Sequence, residues 1–364
     1  MLDWKKFSIK PDTRSLEEYP TIVDILEDIL ETEEEYPQYP LAEDRTFLYK
    51  VKEPGHFCLL HDDDLEKIQL FPTGRNAFSF YRGESKYYDK SIPSLLRIKD
   101  DKQLLLAHLQ RAELECVLSS HPVIREFLMM EFKHPMFVRS FMLPVDYDGL
   151  AQHYGIPTKL LDLTNDKWSA AFFAVTNYTD GVYDLVEPTP EQTFGSFYRL
   201  IHPDYCDKSI SHPVPVGMHY FDRPGRQSAF TLDLGKYDDF LKFPQVERIY
   251  FRHDKDANSL VYDLCQQGMR YFPKDTLSPF VDELRNVDTF SERAVNMCQL
   301  AHYHNKSQEE MKTFLRGFDI KISPSPIVSF KQEQLEKDWA YWQNEGRYRY
   351  HDKLVILPVS SQFE

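Results

Sequence analysis

The sequence predicts an α+β fold in which a mixed or antiparallel sheet is flanked by helices, and three observations lead there. Short runs of apolar, β-branched and aromatic residues recur between turn residues, without the regular strand and helix alternation of a parallel sheet. Segments near both ends carry the apolar spacing of amphipathic helices. One stretch, residues 151–174, joins a polar cluster, a tight turn, a short strand and a helix in a single unit.

Each element follows from its residues. Around the acidic run 24–35, Ile22, Ile25, Leu26, Ile29 and Leu30 make an apolar stripe opposite Glu27, Asp28 and Glu31, which predicts a helix packing one face on the body of the protein. Residues 35–44 are rich in Pro and Tyr and read as a linker. Strands are expected near 55–60, 66–71 and 77–82, with Asp62 to Asp64 and Thr73-Gly74 in the gaps. Helices follow at 101–119, with Leu104, Leu105, His108, Leu109 and Ala112 inward, and at 122–132. In the central unit Gly155 and Pro157 punctuate a turn, and 159–163 is a strand with Asp162 set into an apolar run. Thr164 and Asn165 then cap a helix bearing Trp168, Ala171, Phe172 and Val175. Further strands are expected at 228–234 and 248–252, and a helix at 257–267 closed by the run 268–273. Helices at 291–304, 308–315 and 331–344 precede a final strand, 354–359, available to pair with the N-terminal region.

Composition narrows the function classes. A formal charge of −15 opposes indiscriminate nucleic-acid binding, which needs a basic surface, while leaving room for a local basic pocket. No apolar run reaches the length of a membrane span, and the first residues lack the apolar core of a signal peptide, so a cytoplasmic location with no membrane partner is expected. Five scattered cysteines without a CxxC pair read as reduced, buried thiols. His302 and His304 lack acidic ligands at useful spacing, and no metal is expected.

The chemistry-bearing residues fall in three blocks. Tyr81-Arg82-Gly83 sets a permanent cation at a strand end, suited to phosphate or carboxylate, or else paired with Glu84 or Asp162. His153 lies beside a turn, where it can donate to a phosphate or orient a carboxylate. Thr158 and Thr164 flank the strand and could hold ribose hydroxyls or act as local caps. Asp162, on a buried strand, needs a partner such as Arg82, Lys159 or His153, and so reads as an organiser. Arg223, Arg226 and Gln227 surround the turn Pro224-Gly225. Tyr81 and Tyr154 add rings that stack on a purine or pack the core.

These blocks resemble the FRG domain family, named for a (Phe/Tyr)-Arg-Gly tripeptide. The tripeptide here is Tyr81-Arg82-Gly83, with Glu84 where Gln is frequent, followed by Ile92-Pro93-Ser94-Leu95-Leu96-Arg97. The central motif is Gln152-His153-Tyr154-Gly155-Ile156-Pro157-Thr158-Lys159-Leu160-Leu161-Asp162, and the third block runs from Arg223 to Thr231. Lys159 stands where Arg is usual, Leu163 where Trp is usual, and Ser228 or Ala229 where Gly is usual, the last bearing on any need for backbone without a Cβ. The resemblance spans residues 77–285. It divides the chain into an acidic N-terminal helix and linker (1–44), an FRG domain with leading strands (45–285) and a mostly helical extension ending in a strand (286–364).

The order of these residues is similar to the layout of ADP-ribosyltransferases, in which a first-strand Arg or His, a Ser/Thr strand and a late Glu or Gln grip NAD. That likeness implies an ADP-ribosyltransferase-like fold and a nucleotide-type cleft with Arg82, His153 and Gln227, or else Glu247 in place of Gln227, as the catalytic set. Tyr81, Glu84, Tyr154, Thr158, Asp162, Thr164, Arg223 and Arg226 would line it. NAD would be the substrate and a protein or nucleic acid the acceptor, with no resident cofactor. The other class is a non-catalytic module that senses a nucleotide or phosphorylated ligand.

Overall fold

The computed structural model describes residues 2–35, 57–62, 67–72, 79–129, 132–133, 140–141, 145–179, 181–201, 209–216, 220–273, 275–346 and 354–356. A six-stranded sheet lies at its centre: β1 (Ser79–Glu84), β2 (Leu160–Thr164), β3 (Phe194–Ile201), β4 (Val214–Pro215), β5 (Ala229–Asp233) and β6 (Val246–Arg252). The spatial order is β4-β5-β2-β1-β3-β6, and every neighbouring pair is antiparallel. Helices surround the sheet: α1 (Ile22–Glu35), α2 (Asp101–Leu118), α3 (Pro122–Met129), α4 (Tyr147–His153), α5 (Lys167–Ala174), α6 (Asp222–Arg226), α7 (Lys255–Leu264), α8 (Leu277–Leu284), α9 (Glu292–His302), α10 (Gln308–Gly317) and α11 (Gln332–Tyr341). The α+β class read from the sequence is the observed one.

Strand alternation gives the sheet two apolar faces. On one, Phe80, Leu161, Leu163, Tyr198, Leu200, Phe230 and Leu232 pack beneath Phe240 and Phe243. On the other, Tyr81, Phe197, Ile249 and Phe251 meet α5, α7 and α1. Contact with α5 depends on Gly83: a Cβ there would lie 1.9 Å from the Ala170 carbonyl oxygen and 2.8 Å from Ala174 Cβ. Gly83 thus sits within β1, and its missing side chain admits a helix backbone rather than permitting a sharp turn. Ala170 and Ala174 are the small residues that make the approach reciprocal.

The N-terminal helix is part of this core. Ile22, Ile25, Leu26 and Ile29 are at most 2% exposed, whereas Leu30, expected on the same stripe, is 41% exposed. Asp28, expected on the solvated face, is buried and accepts from Trp4 Nε1 at 2.9 Å. A third core joins α2, α3, α4, α8, α9, α10 and α11, with Leu105, Leu109, Phe280, Val295, Leu315 and Trp342 fully or nearly buried. Buried Asp338 of α11 accepts from Thr276 Oγ1 at 2.9 Å and faces His121 Nε2 at 3.3 Å, tying the C-terminal helices to residues of the central body.

β3 and the hairpin Thr176–Thr179/Val182–Leu185 were not foreseen from the sequence. Gly195 disguises β3, yet it pairs with Phe251, whose ring would lie 2.3 Å from a Cβ at that position. The aromatic side chain occupies the glycine's vacancy across the strands. The expected first strands appear as Phe57–Asp62 and Lys67–Pro72, and Leu354–Ile356 pairs in parallel with Phe57–Leu59, as anticipated for the last strand. Most of the expected 35–44 linker and the start of the 77–82 strand lie outside the described residues. Cys116, Cys265 and Cys298 are buried free thiols, with burial pushing Cys116 up to about 11 and Cys298 to about 12.

Candidate functional site

The Gln-His-Tyr-Gly-Ile-Pro run ends a helix. Gly155 adopts φ +86°, its N–H donates to the Gln152 carbonyl at 3.0 Å, and the Ile156 N–H returns to the Ala151 carbonyl at 2.8 Å. This is a Schellman C-cap, with glycine supplying the left-handed residue and buried Ile156 the apolar contact after it. Its consequence is positional: Gln152 and His153 are held on the last turn of α4, and the chain returns at once as β2 carrying Asp162.

Gln152 is saturated on one side. Its Oε1 accepts from Thr158 N at 3.0 Å, Thr158 Oγ1 at 2.9 Å and Ser94 Oγ at 3.1 Å, so Nε2 is left to donate to Asp162 Oδ2 at 2.9 Å. His153 Nδ1 meets Gln227 Oε1 at 2.9 Å, and Gln227 Nε2 donates to the Tyr271 carbonyl at 3.3 Å. The carbonyl fixes the Gln227 amide, which makes its oxygen the acceptor and Nδ1 the donor. His153 Nε2 then faces Asp162 Oδ1 at 3.5 Å, close but without a hydrogen bond, and both atoms are buried and unpartnered.

The remaining expected residues take these positions. Thr164 Oγ1 donates to the Gln227 carbonyl at 2.7 Å and accepts from Asp166 N at 2.9 Å, so it joins β2 to the third block. Arg223 Nη1 donates to the His153 carbonyl at 3.3 Å and Nη2 to Ser278 Oγ at 2.8 Å, with its guanidinium 4.4 Å from the Tyr154 ring and 5.4 Å from the Phe272 ring. The Tyr154 hydroxyl donates to Asp275; burial and that carboxylate hold its pKa well above the usual phenol value. Tyr81 is buried at 3% exposure on the α5 side of the sheet, and Arg226 is exposed.

Arg82 is occupied by protein. Its Nε donates to Glu84 Oε1 at 3.1 Å and Ser91 Oγ at 3.2 Å, and Nη1 donates to the Asp162 carbonyl at 3.0 Å. β1 and β2 share one registered pair, Tyr81 with Thr164, and the guanidinium bridges the strands where they diverge. On the same sheet face Glu84 lies opposite Ser196, and Tyr198 opposite both Arg82 and Arg248. Glu84 Oε2, Ser196 Oγ, Tyr198 Oη and Arg248 Nε are buried there without hydrogen-bond partners, and burial raises the Tyr198 pKa. Glu247 lies on edge strand β6, paired with Arg199 at 2.7 Å, far along the sheet from the His153 group.

Several participants escaped the sequence reading. Tyr183 stacks on Phe272 with centroids 4.5 Å apart and meets Phe173 at 5.6 Å. Phe272 lies 5.4 Å from the Arg223 guanidinium, which puts the aromatic group beside the polar one; burial raises the Tyr183 pKa. Arg97 is exposed and feels the charges of Arg82, Glu84 and Asp162. The Leu-Leu-Arg run after the tripeptide hinted at Arg97, and the closing run 268–273 contained Phe272; nothing local marked Tyr183 or Arg285.

The model of the FRG domain family matches residues 78–181, which takes in the tripeptide and the central motif. The third block lies beyond the match, although Gln227 meets His153 in space. No curated protein and no solved structure matches the chain. Among the described residues, no helix is long and apolar enough to cross a membrane.

Proposed function

With an FRG domain over residues 78–181 as the premise, we propose that this chain binds a nucleotide-type ligand at the Gln152–His153–Asp162–Gln227 group. One observation carries the reading: His153 Nε2 and Asp162 Oδ1 stand 3.5 Å apart, both buried and neither with a hydrogen-bond partner, while the opposite atoms, Nδ1 and Oδ2, are engaged by Gln227 and Gln152. Unpaired buried polar atoms are rare and call for a partner. With Nδ1 engaged by Gln227, both atoms are acceptors, and two adjacent acceptors suit two adjacent hydroxyl donors, such as the cis-diol of a ribose. The Asp162 side chain is 38% exposed, so a rotation toward solvent uncovers both atoms. Tyr183, Phe272 and Phe173 supply the neighbouring rings for a base.

In this reading the signature residues are supports. Arg82 holds the Asp162 backbone, Gln227 sets the His153 tautomer, and Thr164 and Arg223 hold the backbones of Gln227 and His153. A catalytic extension, NAD hydrolysis or ADP-ribosyl transfer to a protein or nucleic acid, is favoured by the 2.9 Å contact between His153 and Gln227. The bond from the nicotinamide nitrogen to ribose C1′ would break, with nicotinamide leaving with the bonding pair. Water or an acceptor nucleophile would then add at C1′ and release its proton to solvent. Asp162 would stabilise the positive charge developing on the ribose.

Equilibrium titration of the full chain with ADP-ribose, NAD and their ribose-deoxygenated analogues tests the binding reading. Ribose-bearing ligands should bind at least about tenfold tighter than the deoxygenated ones, since each unreplaced hydrogen bond to a charged group is worth roughly 1.5 kcal/mol or more. Asp162→Asn and His153→Ala should each abolish that preference. Equal affinity for both ligand sets would refute the diol assignment, and nicotinamide release from NAD reports the catalytic extension.

A further inference from the structure

The positive charge available near the His153–Asp162 group lies away from the signature arginine. Arg82 is 12% exposed at the side chain and already donates to Glu84, Ser91 and the Asp162 carbonyl. Arg223 holds the His153 carbonyl and Ser278 through its two Nη groups between two aromatic rings, and its remaining donor, Nε, is buried. Withdrawing either guanidinium for a ligand would strand buried acceptors, each left to carry its full desolvation cost.

Two other arginines carry no such obligations. Arg285 is exposed, and its Nη1 lies 3.2 Å from where a Cβ on Gly155 would stand, so it rests over the turn that carries His153. Arg97 is exposed at the end of the helical turn Ser94–Arg97, whose first residue hydrogen-bonds Gln152. Among the described residues neither guanidinium has a carboxylate or hydrogen-bond partner. They stand on two different elements, one over the Gly155 turn and one on the turn that bonds Gln152, and the chain's charge of −15 gives no general reason for an anion to collect there. A pair of unengaged, planar donors beside an acceptor-lined centre suits a phosphate or diphosphate attached to a hydroxyl-bearing group.

We propose that Arg97 and Arg285 contact the phosphate part of the ligand, and that Arg82 does not touch it. This rests on the nucleotide reading above and adds the anionic half of the ligand to it. The assignment makes phosphate recognition separable from ribose recognition, because the two sets of side chains are different.

The test is calorimetric titration of the full chain with adenosine and with ADP. The unsubstituted chain should bind ADP about 10- to 100-fold tighter than adenosine, the range for charge-assisted hydrogen bonds. In the double variant Arg97→Ala/Arg285→Ala that ratio should fall to near one while adenosine affinity stays unchanged. The double variant Arg14→Ala/Arg125→Ala, which removes the same charge from exposed positions elsewhere, should keep the ratio. Retention of the ADP preference without Arg97 and Arg285, or its absence in the unsubstituted chain, overturns this inference and leaves nucleoside binding standing. No binding of either ligand to the unsubstituted chain overturns the nucleotide reading and this inference together.

Discussion

Gly83→Ala is the sharpest test of how the tripeptide works. The added Cβ would meet the Ala170 carbonyl oxygen at 1.9 Å and Ala174 N at 2.8 Å, both belonging to the backbone of α5. Real Cβ contacts fall essentially never below 3.0 Å, so the helix must retreat by roughly 1 Å or β1 must bend. A retreat of that size forfeits about a quarter to a half of each dispersion contact along the interface. The interface holds Ala170, Ala171, Phe172 and Ala174, all at most 1% exposed. Overpacking plus lost contact gives a destabilisation of about 3–5 kcal/mol. For a chain of this size that corresponds to a fall in Tm of roughly 4–7 °C. Guanidinium unfolding followed by circular dichroism measures it directly. Shortening a neighbour should not rescue the variant, because Ala174→Gly removes one side-chain contact and leaves the carbonyl. Stability within about 1 kcal/mol of the unsubstituted chain would refute the packing account. Unchanged stability with lost ligand binding would instead assign the glycine to the ligand.

Three further outcomes are expected. Ser228 holds φ +46°, a left-handed conformation that favours glycine; Ser228→Gly should raise stability by about 0.5–1 kcal/mol in urea unfolding, and Ser228→Val should lower it. Removing residues 1–35 strips Ile22, Ile25, Leu26 and Ile29 from the sheet core, so at about 1.5–3 kcal/mol for each buried side chain the remainder should melt early or aggregate in a thermal scan. His108 stacks on His302 at 3.8 Å, and burial, then the His302 charge, lower its pKa to about 4, while burial also lowers that of His302. Both depressed values mean that the unfolded chain binds the extra protons, so stability should fall as pH drops from about 6.5 toward 4, by about 2 kcal/mol. His108→Gln should flatten that slope in pH-dependent unfolding, and an unchanged slope would exclude the pair as its source.

Much of the fold was legible because it rests on local rules. Helix α1 was readable from its stripe, and β2 and α5 from one continuous segment. β3 was not, because Gly195 looks like a strand breaker until Phe251 from another strand fills its place. Asp28 was misplaced for a similar reason: a carboxylate on a helix reads as solvated, and it is the Trp4 indole and the Leu2 backbone N–H, from a distant segment, that make its burial tolerable.

By itself the sequence determined the α+β class, the order of most elements and the three blocks that carry the FRG resemblance, since periodicity, caps and motifs are properties of neighbouring residues. Tertiary structure alone decided what those residues do to one another. It joined His153 to Gln227, 74 positions apart, turned Arg82 inward onto the Asp162 backbone, and used Gly83 to seat a helix. Hydrogen bonds and steric contacts are set by distance in space, and no spacing along the chain contains that distance.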